Sequence, residues 1–199
     1  MLPTELPPSP LPELSTAELT ASDEPRLQRF FEANPAYSLA VLGEPAGPGE
    51  AHEEIHGELP TGWPFTKKWL IGYADAQGEL AAMANVVSDL LAPAVWHIGL
   101  FIVATARHGS GDAQRLYQGL EAWAAANGAH WLRLGVVSGN ERAERFWHQR
   151  GFCETRTRGG VVMGRLTHTV RVMVKPLVMQ DLERYLQLVP RDRPEPASR

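Results

Sequence analysis

Residues 98–103, IGLFIV, run directly into residues 104–124, ATARHGSGDAQRLYQGLEAWA, and the rest of the chain arranges itself around that junction. The apolar run is the end of a strand expected over Val95–Val103. Beyond the loop, Leu116, Leu120, Trp123 and Ala124 fall on one face of a helix expected over Ala113–Ala126, and Gly128 supplies its stop. Gly109 and Gly111 lie between the two elements. Without a Cβ at either position the backbone can approach a ligand closely, so several N–H groups can converge on a diphosphate at the positive end of the helix dipole. Standing alone, a Gly-x-Gly loop at a helix start is equally plain turn chemistry.

Downstream, Trp131–Val137 alternates as a strand, Asn140 caps a helix running to Arg150, and Gly151 ends it. Strands near Phe152–Arg158 and Val170–Lys175 follow, then a closing helix over Val178–Val189. Upstream, Ser22 or Asp23 caps a helix with Pro25 in its first turn and Leu27, Phe30 and Phe31 on its apolar face, stopped at Asn34-Pro35. The acidic segment EAHEEIHGEL can form a helix over one end of the domain, and Lys68–Tyr73 and Leu80–Val87 read as hairpin strands around DAQGE. This order predicts an α/β chain of the α+β type. Its mixed, mostly antiparallel central sheet is flanked by helices, and a strand-helix-strand crossover opens a crevice. One domain is expected over residues 13–190, with a proline-rich flexible arm at 1–12 and a frayed tail at 191–199.

Composition narrows the function classes. The chain has 199 residues, a net charge of -4 and a single cysteine. The charge gives no reason to expect nucleic acid or an anionic membrane as partner. Cys153 alone excludes an intramolecular disulfide and a thiol cluster for zinc, which fits a reducing, cytoplasmic setting. No apolar run approaches the roughly 20 residues needed to cross a bilayer, and no secretory leader is expected.

The run from Val103 resembles motif A of the GNAT superfamily of N-acetyltransferases, V-x-x-x-x-R/Q-G-x-G-x-G/A. Here it reads Val103, four residues, His108, Gly109, Ser110, Gly111, Asp112, Ala113. His108 takes the basic place, with Arg107 one position earlier. Residues 138–152, SGNERAERFWHQRGF, resemble motif B, N-x-x-A-x-x-F-Y-x-x-x-G-F, through Asn140, Ala143, Phe146, Gly151 and Phe152. The resemblance implies acetyl-CoA as cosubstrate and an amine, small-molecule or peptide, as acceptor, with no metal. Pantetheine would lie along Phe101, Ile102 and Val103 in the manner of an added strand, and the backbone from Gly109 to Ala113 would hold the diphosphate. Asn140 would contact the pantetheine region while also capping its helix.

Acyl transfer to an amine needs a deprotonated nucleophile, a polarised carbonyl and a proton for the departing thiolate. The tyrosine that serves as acid in many GNAT members is replaced by Trp147, whose indole N–H donates a hydrogen bond and is no usable acid. Tyr117 and Ser138 are the substitutes to test. His97, on the pantetheine strand, is the candidate base, because a neutral imidazole accepts a proton near pH 7. The pair His52 and His56 lacks the further ligands of a zinc protease. Glu50, Glu53, Glu54, Glu58 and Asp89 are candidate amine anchors, and Trp63, Phe65, Trp69 and Trp96 either line an acceptor pocket or fill the core. The rival to an enzyme is a non-catalytic acyl-CoA-binding module. The exposed strands leave open a homodimer.

Overall fold

The computed structural model describes residues 5–179 and 181–195. Seven strands form one sheet in the order β1-β2-β3-β4-β5-β7-β6. They are β1 (Ser15–Glu18), β2 (Lys67–Ala74), β3 (Leu80–Ser88), β4 (Val95–Val103), β5 (Trp131–Val137), β6 (Cys153–Met163) and β7 (Leu166–Pro176). All neighbours pair antiparallel except β4 and β5, which are joined by the crossover helix α4 (Asp112–Ala126). The other helices are α1 (Glu24–Ala33), α2 (Ala36–Val41), α3 (Glu50–His56), α5 (Glu141–Gln149) and α6 (Leu182–Leu188).

The expected elements are present, and the differences have physical reasons. STAE carries no apolar alternation, so β1 is invisible to periodicity; it forms because its backbone pairs with the edge of β2. Pro35 stops α1 and then occupies the N-cap of α2, so one proline ends one helix and starts the next. The last hairpin is longer than expected, reaching Met163 and Leu166. The closing helix is shorter, because Asp181 caps it by accepting the Arg184 N–H at 2.9 Å.

The sheet packs helices on both faces. On one lie α4 and α5, over a core that includes Ile71, Tyr73, Leu116, Leu120 and a cluster of three indoles. Trp69 stacks on Trp96 at 5.3 Å, and Trp123 meets both edge-on at 5.3 and 5.2 Å. Trp69 and Trp96 are therefore core residues, and Phe65 is a half-exposed surface side chain. The opposite face carries Leu27, Phe30 and Phe31 of α1 with Leu70, Met83, Leu100 and Ile102.

Residues 5–12 and 191–195 are packed rather than loose, unlike the expected arm and tail. Leu11 is fully buried, Leu14 nearly so, and Trp123 donates its indole N–H to Glu5 O at 2.9 Å. The prolines stiffen the segment rather than freeing it. Pro10 rests on α4 at Gly119, where a Cβ would come within 3.2 Å of the proline ring. At the other end Asp192 is fully buried, held by Arg133 and Tyr185. One buried ion pair thus orders a stretch whose composition alone would leave it loose. Residues 1–4 of the expected arm and 196–199 of the expected tail lie outside the described residues.

The sheet opens in the middle. Pairing of β4 with β5 runs from Val95↔Trp131 to Ile98↔Leu134 and then stops. At the same level Asn85 of β3 faces Leu100 while Val86 faces Ile98, so Gly99 is an extra residue in β4, a bulge. The bulge explains why Ile98 and Phe101, three apart, pack on the same face. Beyond it, one edge of β4 is without a neighbouring strand.

Candidate active site

The loop after β4 is built by short-range hydrogen bonds. Thr105 N–H donates to Asn34 Oδ1 at 2.6 Å, and Asn34 Nδ2 donates back to Phe30 O at 2.8 Å, which ties the loop to the end of α1. Ser110 Oγ donates to Arg107 O at 2.7 Å and accepts from Asp112 N–H at 3.2 Å. Gly109 and Gly111 have φ of +86° and +87°, and Gly111 is the N-cap of α4. Only glycine takes this left-handed conformation without strain. Among the described residues, no protein acceptor meets the N–H groups of Gly109, Gly111, Ala113 or Gln114. Four donors at the start of a fifteen-residue helix make a cradle suited to a diphosphate.

Side chains around the cradle shape it more than they reach into it. Arg107 donates to Asp112 Oδ2 at 2.8 Å and to Glu13 Oε1 at 3.1 Å, and Arg115 donates to Asp112 Oδ1 at 3.1 Å. The Arg107 hydrogen bond, aided by Arg115 and Ser110, holds the Asp112 carboxyl below the usual carboxylate range in spite of burial. Asp112 therefore braces the loop with its side chain, and its own N–H is taken by Ser110. The His108 ring folds back, Nε2 lying 2.9 Å from Val103 O, so it closes the strand end rather than extending as a free cation.

Two cavities flank the unpaired edge of β4. The first, of 390 Å³, lies between Phe101, Ile102, Val103 and His108 on one side and the α5 face carrying Asn140, Ala143 and Phe146 on the other. Arg142 and Arg145 also line it. The second, of 470 Å³, runs down the split between β4 and β5 from Trp147 and Asn140 to Trp63, His97, Arg133 and Arg158. Tyr37, Phe101, Asn140, Ala143 and Trp147 belong to both, so the cavities meet there. Asn140 Oδ1 accepts the Ala143 N–H at 3.2 Å, which makes it the cap of α5 as well as a wall residue. Trp147 is nearly buried and packs at 6.0 Å on Phe101 and 5.4 Å on Tyr117.

The structure does not bring both catalytic candidates to the junction. Tyr117 lines neither cavity: it points from α4 into the aromatic core, its hydroxyl buried without a partner and burial holding the phenol far above its usual value. It is a packing residue, because the helix register that carries Leu116 and Leu120 inward carries Tyr117 with them. His97 does line the second cavity, but as a poor base. Its pKa is lowered to about 3, first by burial and then by the Arg133 guanidinium, whose Nη1 lies 3.3 Å from Nδ1. Nδ1 also lies 3.1 Å from Arg133 O, so both the backbone and the side chain of Arg133 crowd this edge of the ring. The unfolded chain protonates this ring near 6.5, well before the folded one. Stability therefore falls as pH drops from 6.5 toward 3. Urea midpoints measured across that range should fall less steeply for His97→Gln; parallel slopes would contradict the assignment.

Tyr37 is a cavity residue that no sequence motif marks. It sits on α2 facing both cavities, with its phenol raised above the ordinary value by burial and then by Glu54 and Glu50. The apolar run after Pro35 was the available signal for α2. No motif marks Arg133, Arg142, Arg145 or Arg158 either, since arginines at strand and helix spacing look like solvated surface. The remaining candidates have ordinary structural duties. Asp89 holds a turn through Thr66 Oγ1 at 2.7 Å and Ala94 N–H at 2.7 Å, Glu54 accepts from Asn85 Nδ2 at 2.6 Å, and Cys153 is exposed. His52 Nδ1 and His56 Nε2 both face Glu24 Oε2, at 3.2 and 3.6 Å, on the surface between α1 and α3. Among the described residues no helix is long and apolar enough to cross a membrane.

Known structures share this architecture. The ribosomal-protein-S18-alanine N-acetyltransferase of Escherichia coli superposes with a TM-score of 0.62 at 15% identity, over 85% of this chain and 97% of that one. An acetyltransferase from Thermus thermophilus gives 0.62 at 23% identity, over 82% and 97%. The spermidine N-acetyltransferase of Vibrio cholerae, in complex with CoA and spermine, gives 0.60 at 17% identity, over 82% and 95%. No curated protein matches the sequence. Residues 21–152 match the family described as Acetyltransferase (GNAT) family, a span that takes in the cradle, the strand split and α5. With well over half its length matched, the chain belongs to the GNAT acetyltransferase family and is an acetyl-CoA-dependent N-acetyltransferase.

Proposed function

We propose that the first cavity holds acetyl-CoA, that the second holds the acceptor amine, and that transfer is by direct attack where the two meet. The observation carrying this reading is the shared wall of Tyr37, Phe101, Asn140, Ala143 and Trp147 at the point where β4 parts from β5. The residues present fit the cosubstrate: free N–H groups for a diphosphate, an unpaired strand edge at Phe101, Ile102 and Val103 for amides, and Arg142 and Arg145 for further phosphate charge. When bound, acetyl-CoA supplies an activated thioester, so that a C–N bond to the acceptor forms as the C–S bond breaks.

The chain's residues place the protons. His97 stays neutral at physiological pH and lines the second cavity beside Arg133, away from the junction. The acceptor attacks as the free base, and the proton released from its nitrogen leaves to solvent along the second cavity. Tyr37 lines both cavities and is protonated at physiological pH; it is the proton donor for the departing sulfur, the role that Trp147 cannot fill, and is reprotonated from solvent. Tyr37→Phe should lower kcat by about 10²-fold with acetyl-CoA affinity unchanged, measured by thiol release and calorimetry. A kcat within about twofold of the parent would return Tyr37 to packing.

A further inference from the structure

The second cavity is cationic. Arg133 and Arg158 line it, and none of its lining residues is a carboxylate. Arg191 lies behind its Trp63 wall, the guanidinium 4.0 Å from the ring centroid, and Arg156 stands beside Arg158, both donating to Arg191 O, at 2.7 and 3.1 Å. Against these four guanidinium groups the structure sets two carboxylates. Asp192 takes Arg133 through two hydrogen bonds at 2.7 and 3.1 Å and Arg158 at 3.2 Å, while Glu195 pairs with Arg156 at the exposed rim. Among the described residues Arg191 has no carboxylate partner, and the Nε–H groups of Arg156, Arg158 and Arg191 are buried without an acceptor.

Such an arrangement repels a polyamine and leaves positive charge uncompensated at the end of the cavity far from the junction. Resting on the assignment of this cavity to the acceptor, we propose that the acceptor is a small amine that also carries a carboxylate or a phosphate, with the anion bound at Arg158 and Arg133 beside Trp63. Arg133 is already committed to Asp192, so Arg158 is the specificity-determining residue: Nη2 is anchored to Arg191 O and Asp192, and the other guanidinium nitrogens have no carboxylate. Burial, then the fields of Arg191, Arg133 and Arg156, set against the pull of Asp192, depress the Arg158 pKa, and an anion there would reverse that. The span also sets a length. Gly99, at the strand split, is two residues from His97 at the cationic end, about 7 Å along a strand, a distance that roughly five bonds between amine nitrogen and anion cover.

The test uses the full chain and four amines of one length: 5-aminopentanoate, 3-aminopropyl phosphate, 5-aminopentanamide and cadaverine. Thiol release from acetyl-CoA is the readout. The expected result is a kcat/KM at least about tenfold higher for an anionic amine than for the neutral amide, with cadaverine poorest. The two anionic arms decide between carboxylate and phosphate. Arg158→Gln should raise KM for the anionic acceptor about tenfold, leave that for the amide unchanged, and leave acetyl-CoA affinity intact. Preference for cadaverine or the amide, or an unchanged KM in the variant, overturns the proposal while N-acetyl transfer stands. If acetyl-CoA binds and no amine turns over, quenching of tryptophan fluorescence by glutarate or inorganic phosphate decides. Saturation by either in the parent and not in Arg158→Gln supports the subsite, and no saturation overturns it. Failure to bind acetyl-CoA would instead sink the cavity assignment beneath it.

Discussion

Asp192→Ala is expected to lower the unfolding free energy by about 3–5 kcal/mol, the largest effect of any single substitution outside the hydrophobic core. Arg133 is 5% exposed at its side chain and Asp192 not at all, and they are joined at 2.7 and 3.1 Å. Removing the carboxylate strands the guanidinium in the protein and leaves the Tyr185 hydroxyl, which donates to Asp192 at 2.6 Å, without an acceptor. It also frees Arg158 and the chain end. Replacing both partners with apolar residues, Arg133→Met with Asp192→Leu, should recover most of the loss, because the pair's attraction and its desolvation nearly cancel. Burial alone would raise the Asp192 carboxyl, but Arg133 and Tyr185 more than reverse it and hold it below the ordinary 3.8. The contribution is therefore present above that value and lost as pH falls through the folded-state value. Urea denaturation of the two variants checks this. A loss under about 1 kcal/mol for Asp192→Ala would mean that the segment is as loose as its composition suggests.

Gly111→Glu is expected to abolish acetyl-CoA binding, a loss of at least about 100-fold in affinity, while the fold survives. A Cβ at Gly111 meets no protein atom within 4 Å, so nothing in the core is disturbed. The cost to stability is the strain of a φ of +87°, about 1–2 kcal/mol. A carboxylate at this N-cap, among the cradle N–H groups, opposes a diphosphate in both bulk and charge. Gly111→Ala should keep the strain and lose far less affinity, which separates the backbone effect from the blockade. Unchanged circular dichroism with full acetyl-CoA affinity in Gly111→Glu would remove the loop from the site.

How much of this was legible beforehand follows from which forces carry periodicity. Amphipathic α4, the Asn140 cap and the alternating strands announce themselves because burial selects one face at a time, and the glycine positions announce the cradle because no other residue takes their φ without strain. Four features carry no such mark. β1 is held by backbone bonds indifferent to side chains. α2 restarts after a proline that reads as a stop, and so hides Tyr37. The buried end at Asp192 depends on Arg133, far away in sequence. The pKa of His97 is set by burial and that same arginine, so a histidine that looks like a base takes up its proton only far below neutral pH. The motif residues were therefore readable while the proposed acid and the proposed charge of the acceptor were not, since those depend on what distant segments bring to the β4–β5 split.

The most direct measurement is a calorimetric titration of the purified protein with acetyl-CoA, with desulfo-CoA and ATP as controls. Saturable one-site binding of acetyl-CoA and desulfo-CoA, with none for ATP, is the predicted result, since the cradle and the strand edge act together. Absence of acetyl-CoA binding by a folded protein, or equal binding of ATP, would contradict the assignment of the first cavity and with it the account of how this chain works.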